Sequence, residues 1–126
     1  MPRPNPLQST AARANKKKLA RCIQMGKENM FALAIIRYRR PLEDVIPATE
    51  EHRAYLRELK KQGILIAAGA MEPRTGGALL LRVPDNDVAG TLDRVRDGDP
   101  LTQKGLAQYE LIPWKPLIGK EDLDRL

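Results

Sequence analysis

The order of apolar and amphipathic segments limits the folds open to this chain more than any other feature of its sequence. Four apolar runs occupy residues 30–38, 64–71, 78–83 and 106–114. Each has the length of a β-strand, and Ile, Val and aromatic residues are typical of strands. Segments with helical periodicity follow the first and third runs, whereas only a short turn joins the second to the third. The predicted order is therefore β-α-β-β-α-β.

The first predicted helix covers residues 49–62 and follows a predicted loop at residues 41–47. Thr49 is a typical N-cap, because its hydroxyl can accept a hydrogen bond from a free backbone N–H of the first turn. Gly63 is a typical residue for the end of a helix. The sequence thus predicts one helix of about three to four turns between the first two strands.

The remaining segments give a second helix and two connections. Residues 87–98 have helical periodicity, and residues 99–105 are predicted as a connection with room for one helical turn. Residues 72–77 are predicted as a hairpin turn in which Gly76 and Gly77 take part.

This order favours a ferredoxin-like α+β fold, with a four-stranded antiparallel sheet and both helices on one face. The first three strands are apolar on both faces, although helices can cover only one of them. A large exposed apolar face is unusual in a monomer. We therefore predict a homodimer in which two sheets pack face to face, as a dimeric α+β barrel.

The only histidine of the chain lies on the core side of the first predicted helix. His52, Leu56 and Leu59 follow the i, i+4, i+7 spacing of a buried stripe. In the predicted topology, the start of this helix lies at the same edge of the sheet as the connection before the last strand. His52 and Asp99, which is in that connection, are therefore predicted to lie close together.

The net charge of +6 lies at the N-terminus of the chain. Residues 1–29 hold seven of the 22 basic residues and one of the 16 acidic residues, so that 15 of each remain in residues 30–126. Nucleic acid is therefore not a predicted partner of the domain. A weaker hypothesis makes the basic segment a nucleic-acid or membrane tether.

The composition predicts an N-terminal arm and one folded domain. Residues 1–29 form a basic arm that is predicted to be disordered or to reflect an over-extended translation start, and residues 30–126 form the domain. Cys22 is the only cysteine, so an intrachain disulfide is excluded and a reducing compartment is favoured. We find no apolar run of membrane-spanning length and predict a cytoplasmic protein.

Four segments of the domain resemble the YCII-related (YciI-like) family of small bacterial proteins. They are "RYRRPLEDV" (37–45), "EEHRAYLREL" (50–59), "GILIAAGAMEPRTGG" (63–77) and "DPLTQKGLAQYELIPW" (99–114). The resemblance implies a ferredoxin-like fold, a dimeric α+β barrel and a pocket with a His–Asp pair, here His52 and Asp99. The family's reactions are mostly unassigned, and one relative is a dehydrochlorinase that acts on a chlorinated hydroxyquinol.

Two positions depart from the family pattern. Ala70 stands where the family often has Pro or Ser, and Leu101 stands where it usually has an aromatic residue. The resemblance implies that both positions border the pocket. The substitutions would remove a hydroxyl group and a ring that could stack on the substrate.

Each candidate site residue has a functional and a structural interpretation. His52 is a candidate general acid or base, with Asp99 fixing its tautomer; the alternative is a structural histidine beside a turn aspartate. Arg74 would clamp an anionic substrate or lie solvated in the turn. Tyr38 and Tyr55 would donate hydroxyl groups to the pocket or lie partly buried in the core.

The favoured hypothesis is a cofactor-independent enzyme that performs elimination, isomerisation or hydrolysis on a small organic molecule. The alternative is a dimeric ligand-binding or accessory protein without catalysis. One His and one distant Cys cannot supply a zinc site, so no metal is predicted.

Overall fold

A four-stranded antiparallel sheet organises the protein, whose computed structural model describes residues 29–126. The strand order is β2-β3-β1-β4. The strands are β1 (Asn29–Tyr38), β2 (Leu65–Ala70), β3 (Gly76–Pro84) and β4 (Ala107–Trp114). Because β2 and β4 are the edge strands and β1 lies in the interior, the arrangement is ferredoxin-like, as the sequence predicts.

Two long helices and three short ones accompany this sheet in the described part of the chain. They are α1 (Leu42–Val45), α2 (Thr49–Lys61), α3 (Val88–Gly98), α4 (Pro100–Gln103) and α5 (Lys120–Asp124). A 3-10 turn at Ile46–Ala48 joins α1 to α2. The helices α2 and α3 correspond to the two predicted helices, and α4 is the helical turn for which the predicted connection has room.

The segment before α2 was predicted to be a loop, and this prediction is wrong. Residues 42–48 are helical and lead directly into α2, which leaves Thr49 without the role of an N-cap. The backbone N–H of Thr49 donates to the carbonyl of Ile46 in the preceding turn. The Thr49 hydroxyl instead donates to the carbonyl of Val45, at 3.3 Å. The carbonyl of Ile46 thus accepts a hydrogen bond from a backbone N–H group at the start of α2, where a helix without a preceding turn would need a side-chain cap.

Gly76 and Gly77 lie in β3, and not in the turn to which the sequence analysis assigned them. A Cβ atom on Gly76 would lie 1.8 Å from the carbonyl oxygen of Ile36 in β1. A Cβ atom on Gly77 would lie 2.7 Å from the carbonyl oxygen of Gly69 in β2. Both glycines are thus required because the neighbouring strands approach the start of β3 closely.

The core lies between the sheet and its helices. Alternate residues of β1 and β3 face the helices, as the period of a strand requires. The buried residues from these strands are Ala32, Ala34, Ile36, Leu79, Leu81 and Val83. Leu59 of α2 and Leu92 and Val95 of α3 cover them.

The opposite face of the sheet, here called the outer face, is apolar and only partly covered. Its centre holds four half-buried side chains that neighbour one another in the strand register, namely Leu33, Ile35, Leu80 and Ile112. At one end, Phe31 is buried beneath Arg82, whose guanidinium lies 5.8 Å from the ring centroid. The same guanidinium donates to the carbonyl of Leu123, at 2.7 Å, so that the C-terminal segment covers this end.

The predicted basic arm and Cys22 lie outside the described residues, apart from Asn29 at the start of β1. The division into an arm and a domain therefore stays a prediction. Within the described part of the chain, no helix is long and apolar enough to cross a membrane. The same residues contain no group of three or more His, Cys, Asp or Glu side chains that could hold a metal ion.

Candidate active site

A cleft of about 490 Å³ lies between α2 and the edge strand β2. It exists because β2 has the small residues Ala68 and Ala70 on the face of the sheet that carries the helices, and these leave space beneath α2. Its apolar lining comes mainly from Ile36, Leu56, Leu65, Leu79 and Leu101. A volume of this size is typical of sites that bind small molecules.

His52 lies in the first turn of α2, and its ring contacts Asp99 between α3 and α4. Its Nδ1 atom lies 2.9 Å from each carboxylate oxygen of Asp99. The two residues are 47 positions apart in sequence. The topology of the fold brings them to one edge of the sheet, as the sequence predicts.

Asp99 is a fully buried carboxylate with three hydrogen-bond donors. The backbone N–H of Leu101 donates to Oδ1, at 2.9 Å, which makes Asp99 the N-cap of α4. The hydroxyl of Tyr109 donates to Oδ2, at 2.5 Å. No Lys or Arg of residues 29–126 forms an ion pair with Asp99, so His52 is the group there that can supply a compensating positive charge. Burial without these donors would strongly destabilise the carboxylate.

The contact with Asp99 determines how the His52 ring can be used. A carboxylate only accepts hydrogen bonds, so Nδ1 must carry the proton of the neutral ring and Nε2 is left with a free lone pair. Nε2 has no hydrogen-bond partner within residues 29–126. The side chain is 16% exposed and lines the cleft. Nε2 is therefore available to exchange a proton with a bound molecule.

Two tyrosines near Asp99 have strongly raised pKa values. Burial, followed by the negative charges of Asp99 and Asp97, raises the pKa of Tyr55 from 10.0 to about 12. Burial is also the main cause that raises the pKa of Tyr109, and the charge of Asp99 and the hydrogen bond to it add to the effect. Both hydroxyl groups therefore remain protonated donors through the neutral range.

Arg74 lies at the end of the cleft near His52 and is held by neutral hydroxyl groups. Its Nη2 donates to the Thr49 hydroxyl, at 3.1 Å, and its Nε donates to the Tyr38 hydroxyl, at 3.4 Å. It forms no ion pair with an acidic residue of the described part of the chain. Its positive charge is thus available to an anion in the cleft.

The structure brings most of the predicted site residues to one place. The lining of the cleft includes His52, Arg74, Tyr38, Ala70 and Leu101, and Asp99 lies directly behind His52.

Tyr55 does not line the cleft, contrary to its predicted role as a hydroxyl donor there. Its hydroxyl donates to the carbonyl of Val95, at 2.8 Å, because the ring faces α3. The core interpretation that the sequence analysis left open describes this residue better.

Tyr109 is a member of the site that the sequence analysis missed. It pairs with Ile36 in the ladder between β4 and β1, which places both residues on the face of the sheet that carries the helices. Two features of the sequence pointed to Tyr109, namely the period of its strand and the short distance in sequence between this residue and Asp99. Neither reveals that its hydroxyl contacts the carboxylate.

Comparisons with known proteins agree with this architecture. A family model described as YCII-related domain matches residues 30–115. A search of curated proteins gave no match. Among solved structures, 5-chloro-2-hydroxyhydroquinone dehydrochlorinase from Burkholderia phenoliruptrix AC1100, in complex with 2,5-dihydroxybenzoquinone, matches with a TM-score of 0.55 and 24% identity. The match covers 67% of this chain and 93% of that one, and it shows a shared fold.

The raised pKa of Tyr55 predicts a loss of stability at alkaline pH. Above pH 10.0 the unfolded state loses the tyrosine proton, whereas the folded state keeps it until about pH 12. The unfolded state then binds fewer protons, so the free energy of unfolding must fall as pH rises through this window. Urea unfolding between about pH 9 and pH 11 should show a shallower fall for Tyr55→Phe than for the wild type. An equal dependence of the free energy of unfolding on pH in the two proteins would contradict the raised pKa of Tyr55.

Proposed function

The chain belongs to the YCII-related domain family, and on this premise we propose that it is a small enzyme that uses His52 and Asp99 for acid–base chemistry on a small organic molecule. The observation that supports this function is the hydrogen bond from His52 Nδ1 to a buried carboxylate, at 2.9 Å, which leaves Nε2 available to the cleft. Imidazole is the side chain best suited to exchange protons near neutral pH.

In the proposed reaction, His52 Nε2 accepts a proton from the substrate. The resulting imidazolium is stabilised by Asp99, which is already held by the Leu101 N–H and the Tyr109 hydroxyl. Because these donors fix the carboxylate before the proton moves, little reorganisation is needed during the step. The imidazolium then gives its proton to the leaving group or to water, which restores the neutral ring.

Arg74 is proposed to stabilise the negative charge that develops on the substrate. Its contacts with Thr49 and Tyr38 are neutral hydrogen bonds, so its charge is not already compensated. A substrate oxygen that loses its proton to His52 would become an anion near this guanidinium. A phenolate oxygen fits this role, as does the enolate oxygen that forms when His52 removes a proton from the carbon next to a carbonyl group.

Elimination is the reaction that we consider first, because the structural neighbour is a dehydrochlorinase. In an elimination of HCl, His52 would remove the proton and chloride would leave with the electron pair of its bond. The products balance without an oxidant, a reductant or a cofactor. Isomerisation and hydrolysis would use the same proton transfer and remain within the proposed class.

A ligand-binding protein without catalysis is the second candidate. Two residues of the cleft favour it, namely Ala70, which has no hydroxyl group, and Leu101, whose side chain is buried in the core. Such a protein would bind the same class of molecule and leave it unchanged.

We expect the wild type to release chloride from 5-chloro-2-hydroxyhydroquinone. The variant His52→Gln should lower kcat by about 100-fold or more, because the proton acceptor is lost. Chloride release and urea stability would be measured for His52→Gln and for Lys61→Gln, an exposed position of the same helix that does not line the cleft. Binding of 2,5-dihydroxybenzoquinone would be measured in parallel.

The outcomes of this experiment separate the two candidates. Equal kcat values for the wild type and His52→Gln would exclude the catalytic role of His52. Binding of the quinone without any chloride release by the wild type would favour the ligand-binding candidate.

We further propose that the outer face is covered by the same face of a second copy. The half-buried side chains of Leu33, Ile35, Leu80 and Ile112 form its centre, and the C-terminal segment covers only the end near Phe31. Burial of this apolar centre against its own copy would stabilise a symmetric homodimer.

Light scattering should therefore give twice the chain mass of 14.1 kDa. Leu80→Glu should give a monomer, because a charge would be buried in the interface without a partner. The matched control is Ile46→Glu, since Ile46 is 53% exposed in the turn before α2 and should leave the dimer intact. A monomeric wild type at micromolar concentration would refute the dimer.

A further inference from the structure

The charges that line the cleft are all positive. Four cationic side chains, together with His52, line it, namely Arg53, Arg57, Lys60 and Arg74, and no Asp or Glu of residues 29–126 does so. Residues 30–126 contain 15 basic and 15 acidic residues, so this bias is local and does not follow from the composition of the domain. A cleft with such a lining attracts anions.

These cations lie along the cleft from the His52 end to the Lys60 end. The helix α2 leads through Gly63 directly into β2, so the two elements run in opposite directions along the cleft. His52 therefore lies toward the Ala70 end of β2, whereas Lys60 lies toward the Leu65 end. At the rise of an α-helix, His52 and Lys60 are separated by roughly 12 Å along the helix axis.

Arg57 and Lys60, the two cleft-lining cations of α2 that lie farthest from His52, have no partners within the described part of the chain. Neither side chain forms a hydrogen bond or an ion pair with a residue of the range 29–126. Arg53, by contrast, donates to Glu50, at 3.2 Å. Two adjacent positive charges without acidic partners repel each other, and a bound anion would relieve this repulsion.

The wall between the two ends is apolar. Leu56 lies on the helix side, and Leu79, which pairs with Ala68 in the middle of β2, lies on the sheet side. A molecule that spans the cleft would therefore place an uncharged hydrocarbon or aromatic portion here, since burial of a charge against these leucines would be unfavourable.

We propose that Arg57 and Lys60 form a second anion subsite, and that the cleft binds elongated organic dianions with an apolar middle more tightly than smaller molecules that occupy the His52 end alone. One acidic group contacts Arg74 beside His52, and the other contacts Arg57 and Lys60. The inference rests on the proposed function in that the first acidic group lies at the His52 end of the cleft. It adds a preference for a second charge at a defined separation.

A pair of rigid probes tests the preference for a second charge directly. Biphenyl-4,4′-dicarboxylate carries a charge at each end, and biphenyl-4-carboxylate lacks one of them. Isothermal titration calorimetry of the full chain at low ionic strength should show that the dianion binds about tenfold more tightly than the monoanion. The preference should shrink as salt is added, because the Arg57 and Lys60 side chains are exposed.

Matched double variants assign this preference to the subsite. Arg57→Gln with Lys60→Gln should reduce the dianion-to-monoanion affinity ratio to about one. Lys61→Gln with Lys115→Gln removes the same net charge at exposed positions that do not line the cleft, and should keep the wild-type ratio. Because the ratio compares two ligands on one protein, a general loss of stability cancels from it.

Three results would overturn the second subsite: equal affinities of the two probes for the wild type, a ratio unchanged in Arg57→Gln with Lys60→Gln, or no binding of either probe. The catalytic proposal fails on a different measurement, the chloride release of the wild type and His52→Gln. A wild type that prefers the dianion but releases no chloride would retain the subsite and reject the reaction.

Discussion

Asp99 is a buried carboxylate that receives hydrogen bonds from three different elements of the structure. His52 of α2, the backbone of Leu101 in α4 and Tyr109 of β4 all donate to it. These contacts tie the start of α2 to the edge strand β4 through the connection that follows α3. They also fix the ring of the only histidine in the chain, so that stability and the candidate chemistry depend on one group.

The cleft depends on a second constraint, the small residues of β2. An edge strand with larger side chains toward α2 would fill the space that the Ala67–Ala70 segment leaves open. Because α2 lines the cleft along its length, the spacing of residues on this helix sets the distance from His52 to Arg57 and Lys60. The histidine and the distal cations are thus positioned by the same element.

The topology was predictable because it follows from the order of apolar segments, and it places His52 and Asp99 at the same edge of the sheet. Their pairing is what the resemblance to the YCII-related family implies. Periodicity and spacing could not predict the contacts of individual side chains. Thr49 has the chemistry of an N-cap, but the helical turn before it removes the need for one. Gly76 and Gly77 resemble turn residues, although close approach of the neighbouring strands is what requires them. Tyr55 lies on the side of α2 that faces α3, and its hydroxyl donates to a carbonyl there. The sequence alone does not define how α2 is turned relative to α3.

The proposed role of His52 is tested most directly by a measurement of which ring nitrogen carries the proton. The chain has one histidine, so its long-range ¹H–¹⁵N NMR spectrum contains one imidazole. In the neutral ring we expect a proton on Nδ1 and none on Nε2, because Nδ1 donates to Asp99. A spectrum in which Nε2 carries the proton would contradict the role of His52 as a proton acceptor, since the ring would then have no free lone pair toward the cleft.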